Sequence, residues 1–119
     1  IFNGLQTHTA IQNAKINALN SKLSSDLVKQ NLYKTIVQAY TNAKAALKKY
    51  IANQLSLNAA NESFKYAQQK FDAGTANAFD YSNAKNRVFV AESNLLQSKF
   101  DYIFKLKVLD FYQGKELTL

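Results

Sequence analysis

Apolar side chains recur at spacings of three, four and occasionally five residues along the first half of the chain. The members of this row are Leu19, Leu23, Val28, Leu32, Ile36, Tyr40, Ala43, Leu47, Tyr50 and Leu55. Residues three and four apart in sequence lie on one face of an α-helix. The pattern therefore predicts a long helix that buries one face.

A second helix is predicted in the last third of the chain. Its apolar row consists of Val88, Ala91, Leu95, Ser98, Tyr102 and Leu109. Phe89, Leu96 and Ile103 recur at a spacing of seven residues beside that row. Two adjacent apolar rows predict that this helix has neighbours on two sides.

The stretch "KFDAGTANAFDY" separates the two helical patterns. Gly74 is able to adopt the left-handed conformation that commonly ends a helix. Asn77 and Asp80 have the spacing of an N-cap and an acid at the third helical position, where the helix dipole stabilises a carboxylate. The stretch is therefore predicted to be a hairpin tip, and Phe71 and Phe79 are expected to pack across it.

The predicted fold is all-α, a long antiparallel helical hairpin of the coiled-coil type with one long helix and one shorter return helix. The chain has no proline and only three glycines, so few residues interrupt helices. The small residues that permit close helix approach are Ala39, Ala43, Ala45, Ala46, Ala52, Ala59, Ala60 and Ala67. The patterns fit both a self-contained coiled coil with a solvated polar face and one wall of a larger helical assembly.

The net charge of the chain and its reactive residue types limit the classes of function to be considered. The net charge of +7 raises the alternative of a basic helical module that binds nucleic acid through phosphates, with Lys44, Lys48 and Lys49 close together. The lysines are scattered and mixed with acids, however, and no arginine-rich cluster or zinc pattern is present. Cysteine is absent, His8 has no companion, and no nucleophile–base set appears, so we expect no catalytic, cofactor or metal residues and no enzyme.

The segment "FDAGTANAFDYSNAKNRVFVAESNLLQSKFDYIFKLKVLDFYQGKEL" resembles the C-terminal repeat of the TolC-type outer-membrane efflux protein family, the outer membrane factors. Repeats of that family have a glycine at the tip, then a residue such as Thr, an acid about five positions on, and an alanine after it. Gly74, Thr75, Asp80 and Ala84 occupy these positions. The opening "IFNG" and the closing "DFYQGKELTL" are similar to the end of a membrane strand and to the chain end in such proteins.

The resemblance implies a fragment of a longer channel protein. Members are homotrimers whose strands form a β-barrel in the outer membrane and whose helices form a hollow barrel across the periplasm. On that basis the chain divides into the end of a membrane strand with its entry turn (1–4), a long periplasmic helix (5–73), a hairpin tip (74–78), a return helix (79–112) and a C-terminal tail (113–119). The resemblance implies that the membrane part of such a protein lies outside this chain.

The function implied is that of a periplasmic segment of a trimeric efflux or secretion channel in the outer membrane of a Gram-negative bacterium. Its tip is expected to dock a periplasmic adaptor and, through it, an inner-membrane transporter. The docking residues expected are Phe71, Ala73, Gly74, Thr75, Ala76 and Asn77. Asp80 matches a family position where acids narrow the periplasmic mouth of the duct, and Asn83 stands where some relatives have a second acid.

A periplasmic adaptor hairpin is the nearest alternative, because adaptors meet such channels tip to tip. Adaptor hairpins usually have arms of similar length and β-rich flanks, whereas the two predicted helices differ nearly twofold in length. Part of the long helix extends past the expected end of the return helix. The apolar residues there with no expected partner within the chain are Ile11, Ile16, Leu19, Leu23 and Leu27.

Overall fold

A computed structural model describes residues 3–116 and contains two helices, α1 (Gly4–Asp72) and α2 (Ala78–Tyr112). No strand occurs within that range, so the predicted all-α helical hairpin is confirmed. The helices begin and end within one residue of the expected bounds of 5–73 and 79–112. The two ends of the chain, 1–2 of the predicted strand end and 117–119 of the predicted tail, lie outside the described residues.

The chain divides into two units, Ile1–Gln38 and Ala39–Leu119, with the boundary inside α1. The second unit contains the hairpin itself, in which the C-terminal half of α1 packs against α2. The first unit contains the N-terminal half of α1. Its apolar side chains are exposed, and they include Ile11, Ile16, Leu19, Leu23 and Leu27. Neither helix is long and apolar enough, over the residues that the structure describes, to cross a membrane.

A heptad seam holds the hairpin together. In α1 the seam consists of Ala39, Ala43, Ala46, Tyr50, Asn53, Leu57, Ala60, Phe64 and Ala67, all buried or half-buried. In α2 it consists of Tyr81, Ala84, Val88, Ala91, Leu95, Ser98, Tyr102, Lys105, Leu109 and Tyr112, also buried or half-buried. Steps of three and four alternate without interruption in both rows, and this 3.5-residue period is the one that keeps two helices in contact along a coiled coil.

The row predicted for α2 is confirmed, since every residue named in it lies in the seam. The row predicted for α1 is correct at Ala43 and Tyr50 but wrong at Tyr40 and Leu55, which are 59% and 65% exposed. A step of five residues from Tyr50 rotates a side chain by about 140° around the helix axis, whereas a step of seven nearly restores its direction. Leu57, seven residues after Tyr50, therefore takes the seam position.

Small side chains occupy the centre of the seam. Ala43, Ala46, Ala91 and Ser98 are its fully buried members. Ser98 is only 1% exposed, and its hydroxyl donates a hydrogen bond of 2.9 Å to the carbonyl oxygen of Leu95. The polar atom is thereby satisfied within α2, and burying it carries no penalty for a lost hydrogen bond. The seam is narrow because its widest buried groups are methyl and hydroxymethyl groups.

We expect enlargement of a seam alanine to destabilise the hairpin. Ala46→Leu inserts three carbon atoms where the side chain is buried, which typically costs about 1–3 kcal/mol of unfolding free energy through overpacking. The matched control is Ala45→Leu, one residue earlier on the exposed face of α1, which should change stability by less than about 0.5 kcal/mol. Urea unfolding followed by circular dichroism measures both. Equal effects of the two substitutions would contradict close packing at Ala46.

Candidate functional site: the tip of the hairpin

A left-handed glycine ends α1. Gly74 has a φ of +70°, as predicted from the sequence, and its amide donates to the Phe71 carbonyl at 2.9 Å. The Thr75 amide donates to the Lys70 carbonyl at 2.8 Å, which completes a Schellman motif. The Thr75 hydroxyl donates to the same Lys70 carbonyl at 3.0 Å. The last turn of α1 is therefore closed by local bonds within the tip itself.

An asparagine cap starts α2. Asn77 has extended backbone angles, and its side-chain oxygen accepts a hydrogen bond of 2.8 Å from the Asp80 amide. The Asn77–Asp80 spacing predicted from the sequence is therefore confirmed as an N-cap. Asp80 lies in the first turn of α2, where the helix dipole favours a negative charge. With both helix ends capped, only five residues connect α1 to α2.

Aromatic packing behind the tip differs from the prediction. Phe71 stacks on Tyr81 with ring centroids 5.0 Å apart, and Phe64 contacts the same tyrosine at 5.4 Å. Phe79, the predicted partner of Phe71, is 74% exposed. Residues two positions apart in a helix are separated by about 200° around its axis, so only one of Phe79 and Tyr81 is able to face α1. The heptad register of α2 places Tyr81 in the seam and Phe79 on the outside.

The residues predicted to dock a partner lie together in this turn. Ala73, Gly74, Thr75 and Asn77 are exposed, Ala76 is half-buried, and Phe71 keeps part of its ring accessible. A side-chain carbon built on Gly74 would have no heavy atom within 4 Å. The tip therefore presents short side chains and accessible backbone on a base of stacked aromatic rings. Contact of these residues with an adaptor stays a prediction.

Asp80 and Asn83 line one groove beside the tip, together with Ser63, Ala67, Ala84 and Arg87. Asp80 and Asn83 are both expected near the mouth of a duct, and the structure brings them to the same flank of the hairpin. None of the ion pairs found among residues 3–116 involves Asp80. Asp80 is exposed to solvent.

Arg87, the single arginine of the chain, lines the same groove and is not among the residues predicted for this site. It follows Asp80 by seven residues, so the two side chains lie along one line on α2. Arg87 also lines the next groove, whose other polar lining residues are Ser56, Ser63, Asn86 and Asn94. The seven-residue spacing was the signal available in the sequence. It places an acid and a guanidinium on the flank that carries the predicted gate residues.

Among the residues that the structure describes, no three His, Cys, Asp or Glu side chains are placed to hold a metal ion. His8 is exposed on α1. The tip is built from helix caps, small side chains and stacked rings.

Comparison with known protein families gives one match. The family model described as outer membrane efflux protein matches residues 1–114, which include both helices and the turn between them. No curated protein and no solved structure matches the chain. Because the family model covers nearly the whole sequence, the match does not rest on the short tip motif alone. The chain belongs to the outer membrane efflux protein family.

Proposed function

We propose that the chain is a periplasmic wall segment of a trimeric outer-membrane channel and that its tip docks a periplasmic adaptor. Members of the family are components of efflux channels of the outer membrane. The proposal of adaptor docking rests on the tip, which is a five-residue turn with capped ends and small exposed side chains. Through the adaptor, the channel connects to an inner-membrane transporter.

Exposed apolar side chains on α2 support a place within a wall of helices. Outside the seam they include Phe89, Leu96, Phe100, Ile103 and Phe104, each more than a third exposed. Contiguous apolar surface of this kind marks an interaction site on a soluble protein. The predicted second neighbour of α2 would cover Phe89, Leu96 and Ile103. Further helices of the longer protein and of the other two subunits supply such neighbours in a trimeric barrel.

Three features of the tip favour docking of a partner. The capping bonds fix the backbone before a partner arrives, so little conformational entropy is lost on binding. Short side chains at Ala73, Gly74 and Thr75 permit the backbone of a second helical tip to approach closely. The stacked rings of Phe71 and Tyr81 support the turn from inside the hairpin. The tip therefore presents a surface of defined shape to a partner.

Replacement of Gly74 by valine in the full-length channel tests the docking proposal. A β-branched residue at a φ of +70° is strained by about 1 kcal/mol or more and distorts the turn. We expect reduced export at an unchanged level of inserted channel, together with weaker cross-linking to the adaptor.

Gly114→Val is the matched control. Gly114 has a φ of +73°, follows the end of α2 in the same hydrogen-bonding motif, and is also surrounded by open space. The substitution therefore introduces comparable strain away from the tip. Normal export by Gly74→Val would contradict docking through the turn, and equal loss of export in both variants would assign the effect to folding.

We further propose that Asp80 faces the axis of the duct and contributes to its periplasmic gate. Three carboxylates near one axis repel each other and raise the local affinity for cations. The alternative role of Asp80 is that of a helix-start acid beside the Asn77 cap. The groove that Asp80 shares with Asn83 supports the gate, because it places the two expected gate residues on one flank.

Conductance of the reconstituted full-length channel distinguishes the two roles of Asp80. We expect divalent cations to block the Asp80→Asn channel less than the wild type. Asp72→Asn is the control, because it removes another exposed acid close to the tip from the end of α1. Equal block in wild type and Asp80→Asn would leave Asp80 only its role at the start of α2.

A further inference from the structure

A groove runs along one flank of the hairpin between α1 and α2. Its polar walls include Ser56 and Ser63 on α1 and Arg87 and Asn94 on α2, and its volume is about 470 Å³. A volume in this range is typical of sites that hold small organic molecules. We call it the arginine groove. Past Ser63 and Arg87 it continues into the smaller groove beside the tip.

Short side chains form the floor of the arginine groove. Ala60 and Ala91 belong to the seam, where the two helices approach closely, and Ala59 lies beside them on α1. The side-chain amide of Asn53 on α1 donates a hydrogen bond of 3.1 Å to the carbonyl oxygen of Asn94 on α2. This bond joins the two walls at one end of the groove. The packing of the hairpin itself therefore forms the groove, and the floor of the groove is apolar.

Arg87 is the one charged side chain that lines the arginine groove. It is exposed, and no ion pair or side-chain hydrogen bond found among residues 3–116 involves its guanidinium. The hydroxyls of Ser93 and Ser98 donate to carbonyl oxygens within α2. Those of Ser56 and Ser63, in contrast, make no hydrogen bond within the described part of the chain. The groove therefore presents hydroxyl donors on α1 opposite a single positive charge on α2.

The opposite flank of the hairpin has a groove with a different charge. Lys99 and Glu92 line that groove together, one heptad apart, so it contains charges of both signs. No residue that lines the arginine groove is acidic. Asp80 precedes Arg87 by seven residues, which is about 10.5 Å along the helix axis, and at that separation solvent ions screen most of the attraction between exposed charges. The arginine groove is therefore the one of the two that has an uncompensated positive charge.

We propose that the arginine groove binds a small amphiphilic anion, which is a molecule with a compact apolar body and one carboxylate, sulfonate or phosphate group. The planar guanidinium of Arg87 donates two parallel hydrogen bonds to such an oxyanion, and the hydroxyl of Ser63 donates a third. The apolar body of the ligand lies on the alanine floor. The inference concerns the flank of the hairpin and depends neither on adaptor docking nor on a gate at Asp80.

Nuclear magnetic resonance of the whole chain tests the proposal, because its single arginine gives one Nε–H signal. The probe is toluenesulfonate, and the matched neutral molecule is toluenesulfonamide. We expect toluenesulfonate to shift the Arg87 signal saturably and to bind about fivefold more tightly than the sulfonamide, since only the anion forms the charged contact. Inorganic sulfate should bind more weakly than toluenesulfonate, because it has no apolar ring to cover the floor.

Variants of the chain locate the site, with the backbone amide signal of Ser63 as the readout. Arg87→Gln should weaken toluenesulfonate binding about fivefold. Lys99→Gln is the matched control, because it removes the same charge from the groove on the opposite flank, and it should change the affinity less than about twofold.

Filling the floor separates the groove from the charge. Ala59→Leu keeps every charge but places a larger side chain in the arginine groove, and it should weaken toluenesulfonate binding at least as much as Arg87→Gln. Ala59 is exposed and lies outside the seam, so the hairpin should keep its helix content and stability, which circular dichroism measures.

Three results would overturn the proposal. Equal affinity for toluenesulfonate and toluenesulfonamide would remove the role of the oxyanion. Equal weakening by Arg87→Gln and Lys99→Gln, or unchanged binding by Ala59→Leu, would reduce the contact to surface charge outside the groove. Binding that appears only after Asp80→Asn would make the carboxylate of Asp80 the occupant of the guanidinium.

Discussion

Close approach of two helices along a seam of small side chains is the constraint on which the rest of the hairpin depends. Ala43, Ala46, Ala91 and Ser98 are its buried centre, and no large side chain is fully buried among residues 3–116. Such a seam buries little apolar area per residue, so its stability comes from repetition over many heptads and from tight contact. The 3.5-residue period must therefore be kept from Ala39 to the tip, because one misplaced step would separate the helices.

The same constraint shapes the functional surfaces. Because the seam is narrow and uses alanine and serine, most large apolar side chains remain outside it, including Phe89 and Phe104 on α2 and Leu23 on α1. They are the surfaces that neighbouring helices would cover in a channel wall. At the tip the register places Tyr81 against Phe64 and Phe71, which supports a turn whose own residues are small. The side chains that hold the two helices together are thus different from the large apolar side chains that remain exposed.

Rules for helix capping, which involve residues close in sequence, predicted the backbone of the tip correctly. They did not predict which aromatic ring packs behind it. Gly74, Asn77 and Asp80 were identified because left-handed closure and N-capping involve groups only a few residues apart. Phe79 was assigned wrongly because its contact depends on the register of α2 against α1, which is a property of the pair. Leu55 was misplaced for the same reason: hydrophobicity favoured it, whereas the heptad register selected Leu57. Arg87 was overlooked because its one signal in the sequence, the seven-residue spacing from Asp80, links two residues that are not adjacent in the chain.

The sequence by itself determined that the chain is all-helical, that it reverses at Gly74, and that it resembles efflux channel proteins, since helix periodicity, glycine conformation and motif order are local or linear properties. Only the tertiary structure decided which side chains form the seam and which ring packs under the tip. These outcomes depend on the rotation of one helix against another. A rotation of that kind is set by the summed packing of many alanine, serine and tyrosine contacts, none of which is strong enough to be recognised alone.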